Sequence, residues 1–356
     1  MSHPNAPNLP DSPRILIVKP SSIGDIVHAL PVLALIRRRY PTAHVTWLVS
    51  ASCAALVEHH PLIDRTIVFH RRGNPALAMI RILLTLRTER FDLVIDLQGL
   101  SRSAIFGYVT RSPLRFGPAD AREWAYLLYT HPIHTGRGTV HAVEANLRIA
   151  EAIGLGRAPI EFPLPNDDAD QAAVEPLLPG GPFAVLIPGT IWKTKRWPPE
   201  HFADLVRPLR DRFGLSTVVA GGPSDIAMAD VIPADVNLAG KTTLRQTIAL
   251  LRKSAVVIAN DSGPMHIAAA LGRPLVTLFG PTDPALTGPW NRDDSVLRLN
   301  IPCAPCHSRH CSHISCLRWI QPRDVLRLAE TQLNRSTAMQ QSNPQVTHSA
   351  NEKKGS

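Results

Sequence analysis

The chain has 356 residues, 44% apolar and 19% charged, the balance of a globular protein too long for one ordinary core, so two domains are expected. No apolar run reaches the roughly 18 residues of a membrane-crossing helix, and residues 1–13 are polar and proline-rich rather than signal-like, so the expectation is a cytoplasmic enzyme. The formal net charge of +9, from 38 basic and 29 acidic residues, favours acidic partners: nucleic acid, an anionic membrane surface or a phosphorylated substrate.

In chain order, residues 1–13 read as a flexible leader. Residues 15–18 read as a buried strand and 27–39 as the helix behind it, with Pro31 near its start or kinking it. Strands are predicted at 44–49 and 93–96. A helix is predicted over 76–86 with Arg81 and Arg87 on its polar side, and core packing is preferred to a membrane surface. Another helix spans 140–153, stopped by Gly154. Residues 161–182 hold five prolines and a polar run, and 166–182 are read as an inter-domain linker. The pattern then restarts: strand 183–187, helix 201–213 stopped by Gly214, strand 216–220 ending in Gly221-Gly222, helix 244–253, strand 256–259, helix 263–271 and strand 275–279. Alternating strands and helices predict an α/β protein with parallel sheets and right-handed crossovers. The expected domains are 14–165 and 183–335, facing each other across a ligand cleft at the carboxyl ends of their strands. Residues 336–356 read as a disordered tail.

Charge is uneven. Between positions 71 and 122 stand nine arginines, no lysine and four acids, which suggests a surface that meets anions. For any one of these arginines the solvated face is the favoured reading; the anion-meeting surface is suggested by the group.

Four segments could carry chemistry. The first, Lys19-Pro-Ser-Ser-Ile-Gly-Asp25-Ile-Val-His28, follows a strand and opens a helix. Asp25 suits either a helix cap or a general base facing the cleft. His28 reads as a packed or surface histidine. The second, Pro188-Gly-Thr190-Ile-Trp-Lys-Thr-Lys195-Arg-Trp197, also follows a strand. Thr190 and Lys195 could hold a diphosphate, although the P-loop ending is absent. The third, Asn260-Asp261-Ser262-Gly263-Pro-Met-His266, begins a helix whose exposed N–H groups and dipole suit phosphate. The fourth is Cys303, Cys306, Cys311 and Cys316 in C-x2-C-x4-C-x4-C spacing, with His307, His310 and His313 between them. A structural zinc or, less favoured still, an iron–sulfur site is weighed against a reduced or redox-labile loop, and the loop is favoured because the spacing departs from finger patterns. No catalytic metal site is expected.

Together these segments resemble the ADP-heptose:lipopolysaccharide heptosyltransferases, over about residues 14–325. ILIVKPSSIGDIVHALPVLALIRRRYP, VIDLQGLSRSA, HAVEANLRIAEAIGL, TKRWPPEHFADL and NDSGPMHIAAALGRPLVTLFGPTDP fit the family's pattern in order, the last most specifically. The resemblance implies a GT-B fold of two Rossmann-like domains and an inverting, metal-independent transfer needing no cofactor. The donor would be ADP-L-glycero-β-D-manno-heptose, and the acceptor a Kdo or heptose of an anionic lipopolysaccharide inner core. It implies Asp25 as general base and Thr190, Lys195, Asp261, Ser262, Gly263 and His266 as donor-binding. Lys19, Arg71, Arg72 and Arg122 would meet the acceptor. Ile191 stands where members often have a second threonine. Asp225, after Gly221-Gly222, is a candidate near the nucleoside. Peripheral contact with the cytoplasmic face of the inner membrane is a further expectation, and nucleic acid is not an expected partner. The alternatives are a sugar-nucleotide epimerase or hydrolase of the same fold, an NAD-dependent dehydrogenase, disfavoured because no G-x-G-x-x-G follows the first strand, and a nucleic-acid-binding module.

Overall fold

The computed structural model describes residues 7–70 and 75–342. Six short apolar runs form the first sheet: β1 Arg14–Val18, β2 His44–Ser50, β3 Arg65–Phe69, β4 Leu93–Asp96, β5 Leu114–Pro118 and β6 His131–Ile133. They lie in the order β3-β2-β1-β4-β5-β6, all parallel. The second sheet holds β7 Phe183–Ile187, β8 Ser216–Val219, β9 Val236–Asn237, β10 Val256–Asn260, β11 Leu275–Phe279 and β12 Val296–Arg298. Its order, β12-β11-β10-β7-β8-β9, is the same topology read from the other edge. Both halves are therefore doubly wound Rossmann-like units. Each reverses its winding where its first and fourth strands adjoin, the point at which such sheets open a ligand crevice. The inner strands β1, β7, β10 and β11 are buried on both faces, which is why they read as unbroken apolar runs rather than alternating ones.

One buried cluster runs from Ile15, Leu33 and Trp47 in the first half to Val185, Ile248 and Val257 in the second, so the halves pack on each other below the crevice. Segment 166–182 is more ordered than a plain linker. Asp167 caps the Asp168–Val174 helix by accepting from the Ala169 N–H at 2.9 Å. Arg245 then binds Asp170 at 2.7 Å, Asp167 at 3.0 Å and the Glu58 carbonyl at 3.0 Å, tying the connection to both domains.

The helix expected over 27–39 is corrected. Ile23–Val27 forms one short helix and Leu30–Arg39 another, broken at His28 and Ala29. Pro31 sits in the second helix's first turn, where it has no N–H to give to a carbonyl one turn back. The tail expected from 336 begins as helix, since Pro322–Ser342 is continuous; residues 343–356 lie outside the described residues. Among the described residues no helix is long and apolar enough to cross a membrane.

Candidate active site

The loop after β1 places Lys19 and Asp25 at the first domain's crevice. Lys19 is buried and its ammonium donates to the Leu97 carbonyl, just beyond β4, at 2.7 Å. It lies 3.9 Å from Asp25, whose side chain is 42% exposed. Burial lowers the Lys19 pKa, opposed chiefly by Asp25. Burial pulls the Asp25 carboxyl upward, but Lys19 and the Ser22 N–H and hydroxyl, both donating to Oδ2 at 2.8 Å, outweigh it and hold the group below its ordinary value. Asp25 is thus an ionised carboxylate, half open to the cleft and held by a fixed ammonium. It also occupies the third position of its helix, so the capping and base readings describe the same carboxylate.

The loop after β7 and the turn after β10 form the facing wall. Lys195 binds Asp261 at 2.7 Å, and the Thr282 hydroxyl donates to the same carboxylate at 2.5 Å. Asp261, almost fully buried, therefore anchors the lysine and leaves its remaining N–H groups for an anion. The Lys195 ammonium also stands 4.6 Å from the centre of the Trp192 ring. Thr190 donates its hydroxyl proton to the Asp261 carbonyl at 2.8 Å, while Arg196 grips the Thr190 carbonyl at 3.1 and 3.0 Å. The threonine hydroxyl proton is thereby committed to joining the two segments, and a phosphate would be met here by Lys195 and backbone N–H groups. Asn260 completes the join, donating to the Pro188 carbonyl and accepting from the Trp197 N–H. Ser262 stands at the N-cap of the Gly263–Ala270 helix, and its buried hydroxyl has no hydrogen-bond partner among the described residues. An unpartnered hydroxyl at a helix start, with a tethered ammonium on the same wall, is chemistry that suits an anion. The Asp225 carboxylate packs against Gly189 and Gly221 at the rim, where a Cβ on Gly189 would fall 2.3 Å from it.

The two walls touch. A Cβ on Gly24 would lie 2.5 Å from Cδ2 of His266, and one on Gly263 would lie 2.7 Å from Ile23. Only glycine lets the two helix starts approach so closely. His266 Nδ1 meets His28 Nε2 at 3.0 Å, and His28 packs edge-on against His141 at 5.1 Å. His141 accepts the Val143 N–H at Nδ1, so its Nε2 carries the proton given to the Gly288 carbonyl at 3.1 Å. Three histidines thus line the domain junction. Burial is the main cause that lowers all three pKa values, His266 to about 4.

That placement has a stability consequence. Unfolded histidine titrates near 6.5, whereas these titrate lower in the fold. Stability should be full above about pH 6.5 and should fall as pH drops toward about 4, because the unfolded chain takes up the protons first. Thermal unfolding midpoints measured from about pH 7 to about pH 5 should decline, and His28→Gln should flatten part of that decline. A wild-type midpoint independent of pH in this window would contradict it.

Of the expected acceptor residues, Lys19 stands in the site. Arg122 is exposed at its border, its N–H bonded to the Gly99 carbonyl at 3.3 Å; Arg71 and Arg72 lie outside the described residues. Arg137 joins the site unannounced, donating to the Gln98 carbonyl at 2.7 Å and adding positive charge beside Lys19. The four free thiols line one cavity with His310 and His313, but among the described residues no three Cys, His, Asp or Glu side chains are set to hold a metal ion. Their segment also braces the second loop: Thr194 donates to the Ser308 carbonyl at 2.9 Å, and Arg309 lies 4.6 Å over the Trp192 ring.

Known proteins share this chain's sequence and fold. Residues 79–316 match the model of glycosyltransferase family 9 (heptosyltransferase). Over 321 residues the chain is 32% identical to lipopolysaccharide heptosyltransferase 1 of Pseudomonas aeruginosa, covering 84% of this chain and 88% of that one. The structure of Escherichia coli ADP-heptose lipopolysaccharide heptosyltransferase II superimposes with a TM-score of 0.76 at 26% identity, over 91% of this chain and 99% of that one. An E. coli heptosyltransferase solved with ADP gives 0.72 at 26%, over 90% and 99%.

Proposed function

The chain belongs to glycosyltransferase family 9, the heptosyltransferases, and from that footing we propose that it transfers heptose from ADP-L-glycero-β-D-manno-heptose to a Kdo or heptose of the lipopolysaccharide inner core, with inversion and without a metal or other cofactor. The observation that carries this reading is the meeting, across one crevice, of an ionised carboxylate on the first domain with an anion site on the second. The acceptor oxygen attacks the anomeric carbon and its proton passes to Asp25. The bond from that carbon to the diphosphate breaks, and its electron pair leaves on ADP. Positive charge grows on the sugar and negative charge on the diphosphate. Lys195 and the helix start at Ser262 stabilise the leaving oxygens, the task a metal performs elsewhere. Asp25, on the wall opposite, removes the proton from the far face of the sugar, which gives inversion. Lys19, Arg137 and Arg122 offer positive charge to an anionic acceptor. The relative solved with ADP supports the nucleotide, and the Asp225 rim is where the nucleoside would lie.

Release of ADP from ADP-heptose should require a Kdo-bearing lipid A acceptor. Acceptor-independent release would instead favour a hydrolase or epimerase of this fold.

The close approach of the domains gives a second test. Gly24→Ala would force the His266 ring, already held by His28, away from the helix start. A shift of about 1 Å at a reacting centre costs on the order of 10²-fold, so kcat/KM should fall by about that factor while the fold persists. An alanine enzyme with wild-type kcat/KM would show that the walls need not meet.

A further inference from the structure

His28 takes no direct part in the transfer chemistry, yet its ring is fixed at the domain junction. It stands between the Ile23–Val27 and Leu30–Arg39 helices and is 4% exposed. Its N–H donates to the Gly24 carbonyl at 2.9 Å, its carbonyl accepts from Asn146 at 2.9 Å, and its ring packs edge-on against His141. Nε2 is left to reach across the junction, 3.0 Å from Nδ1 of the equally buried His266. Among the described residues His266 makes its side-chain hydrogen bond through Nδ1 alone. A Cβ on Gly24 would lie 2.9 Å from His266 Nε2, so this second nitrogen lies against the helix start that carries Asp25.

Burial lowers the pKa of both rings, and the Asp261 and Asp25 carboxylates only partly oppose it at His266. Near neutral pH both rings are therefore neutral, and each carries one proton. Two nitrogens 3.0 Å apart share a single proton between them, so the pair has two arrangements. In one, His28 donates from Nε2, and His266 keeps its own proton on Nε2. In the other, His266 donates from Nδ1 and turns a bare Nε2 toward the site. Ionised carboxylates and phosphates only accept, so the Asp25 side of the ring calls for an N–H. Lys195 also faces this ring, but its ammonium is bound to Asp261. His141 does not compete for the shared proton, since it gives its own to the Gly288 carbonyl.

We propose that His28 is a positioning residue: by donating its Nε2–H to Nδ1 of His266, it fixes the His266 tautomer whose Nε2–H is offered to the diphosphate of the donor. The ligand named here rests on the transferase reading; the tautomer does not. A hydrogen bond on one imidazole nitrogen decides what the other can do, and here the deciding group comes from the opposite domain. The first domain thus supplies the base and also sets a donor-facing group of the second, and it does so only while the two walls meet. Packing alone would be served by any apolar side chain that fills the place of the ring, whereas the tautomer needs an N–H at that point.

The test is the nitrogen NMR spectrum of the full chain labelled with ¹⁵N at histidine, near neutral pH and without nucleotide, with His266 assigned from the signals missing in His266→Gln. His266 should show a bare Nδ1 and a protonated Nε2. His28→Gln, whose amide can donate at the same place, should keep that tautomer and hold ADP within about twofold of the wild type. His28→Leu should give a mixture of tautomers. Its ADP dissociation constant should rise about tenfold, the effect of leaving the buried Nδ1 without a donor in the binding tautomer. In transfer assays the leucine enzyme should lose more in KM for the donor than in kcat, because Asp25 is untouched. A wild-type His266 protonated at Nδ1 overturns the proposal, and this spectrum decides even if the leucine variant fails to fold. So does a leucine variant that binds ADP as the wild type does, or a glutamine variant as weak as the leucine one, since then the ring only packs. The spectrum tests the tautomer without any donor, whereas absence of transfer by the wild type would count against the transferase reading alone.

Discussion

Asp25→Asn should lower kcat by about 10²- to 10⁴-fold with little change in KM for the donor, the range over which a positioned general base contributes. The amide keeps the shape and one acceptor oxygen for the Ser22 hydrogen bonds, so the short helix and its contact with His266 persist. What it loses is the capacity to take a proton. The pH–rate profile of the wild type adds a second readout. Lys19 and Ser22 hold the Asp25 carboxyl below its ordinary value, so the acidic limb should lie below about 4, the unperturbed aspartate range. Activity should therefore be flat from neutral pH down to where the fold itself weakens. Donor binding, followed by ADP titration, should be unchanged. An asparagine enzyme that retains more than about one tenth of the wild-type kcat would remove Asp25 from the base role.

Lys195→Ala should lower kcat/KM by about 10²- to 10³-fold, the loss seen when one preorganised stabiliser of developing negative charge is removed. Here the loss should appear in donor affinity as well as in kcat, because the ammonium meets the diphosphate before and during bond cleavage. The substitution also strands the Asp261 carboxylate, which is buried and would keep only the Thr282 hydroxyl. Breaking a buried pair of this kind costs about 3–5 kcal/mol, so the single variant mixes a chemical loss with a structural one. Lys195→Ala with Asp261→Asn separates them. The double variant should recover thermal stability while transfer stays low. If the double variant recovers transfer as well, the lysine serves only the fold.

The regular parts of this structure were legible because each obeyed a local rule. Strands 183–187 and 275–279 and helix 244–253 fall where apolar runs and periodicity put them, since a doubly buried strand and an amphipathic helix leave strong signatures. The 27–39 helix starts later than expected, at Leu30, with Pro31 in its first turn as anticipated, because residues 23–27 form a separate short helix. Segment 166–182 looked like bare linker because its prolines drew attention away from Asp167, a helix cap. In the site, Asp25, Lys195 and the Ser262 turn were recognisable as strand-end motifs. The work of Asp261 and Thr190 was not, because it rests on pairings 66, 71 and 21 positions apart, with Lys195, with each other and with Thr282. Arg137 and the histidine junction escaped for the same reason. His28 and His266 are 238 positions apart, and only the folded chain makes them neighbours.

The most direct test of the central claim is the mass of the acceptor after incubation with the purified chain and ADP-heptose. A Kdo-bearing lipid A that gains one heptosyl residue, in step with the ADP released and not at all with Asp25→Asn, is the predicted result. ADP release with no gain in acceptor mass, or an equal gain with the asparagine enzyme, would contradict transfer across this crevice by this carboxylate.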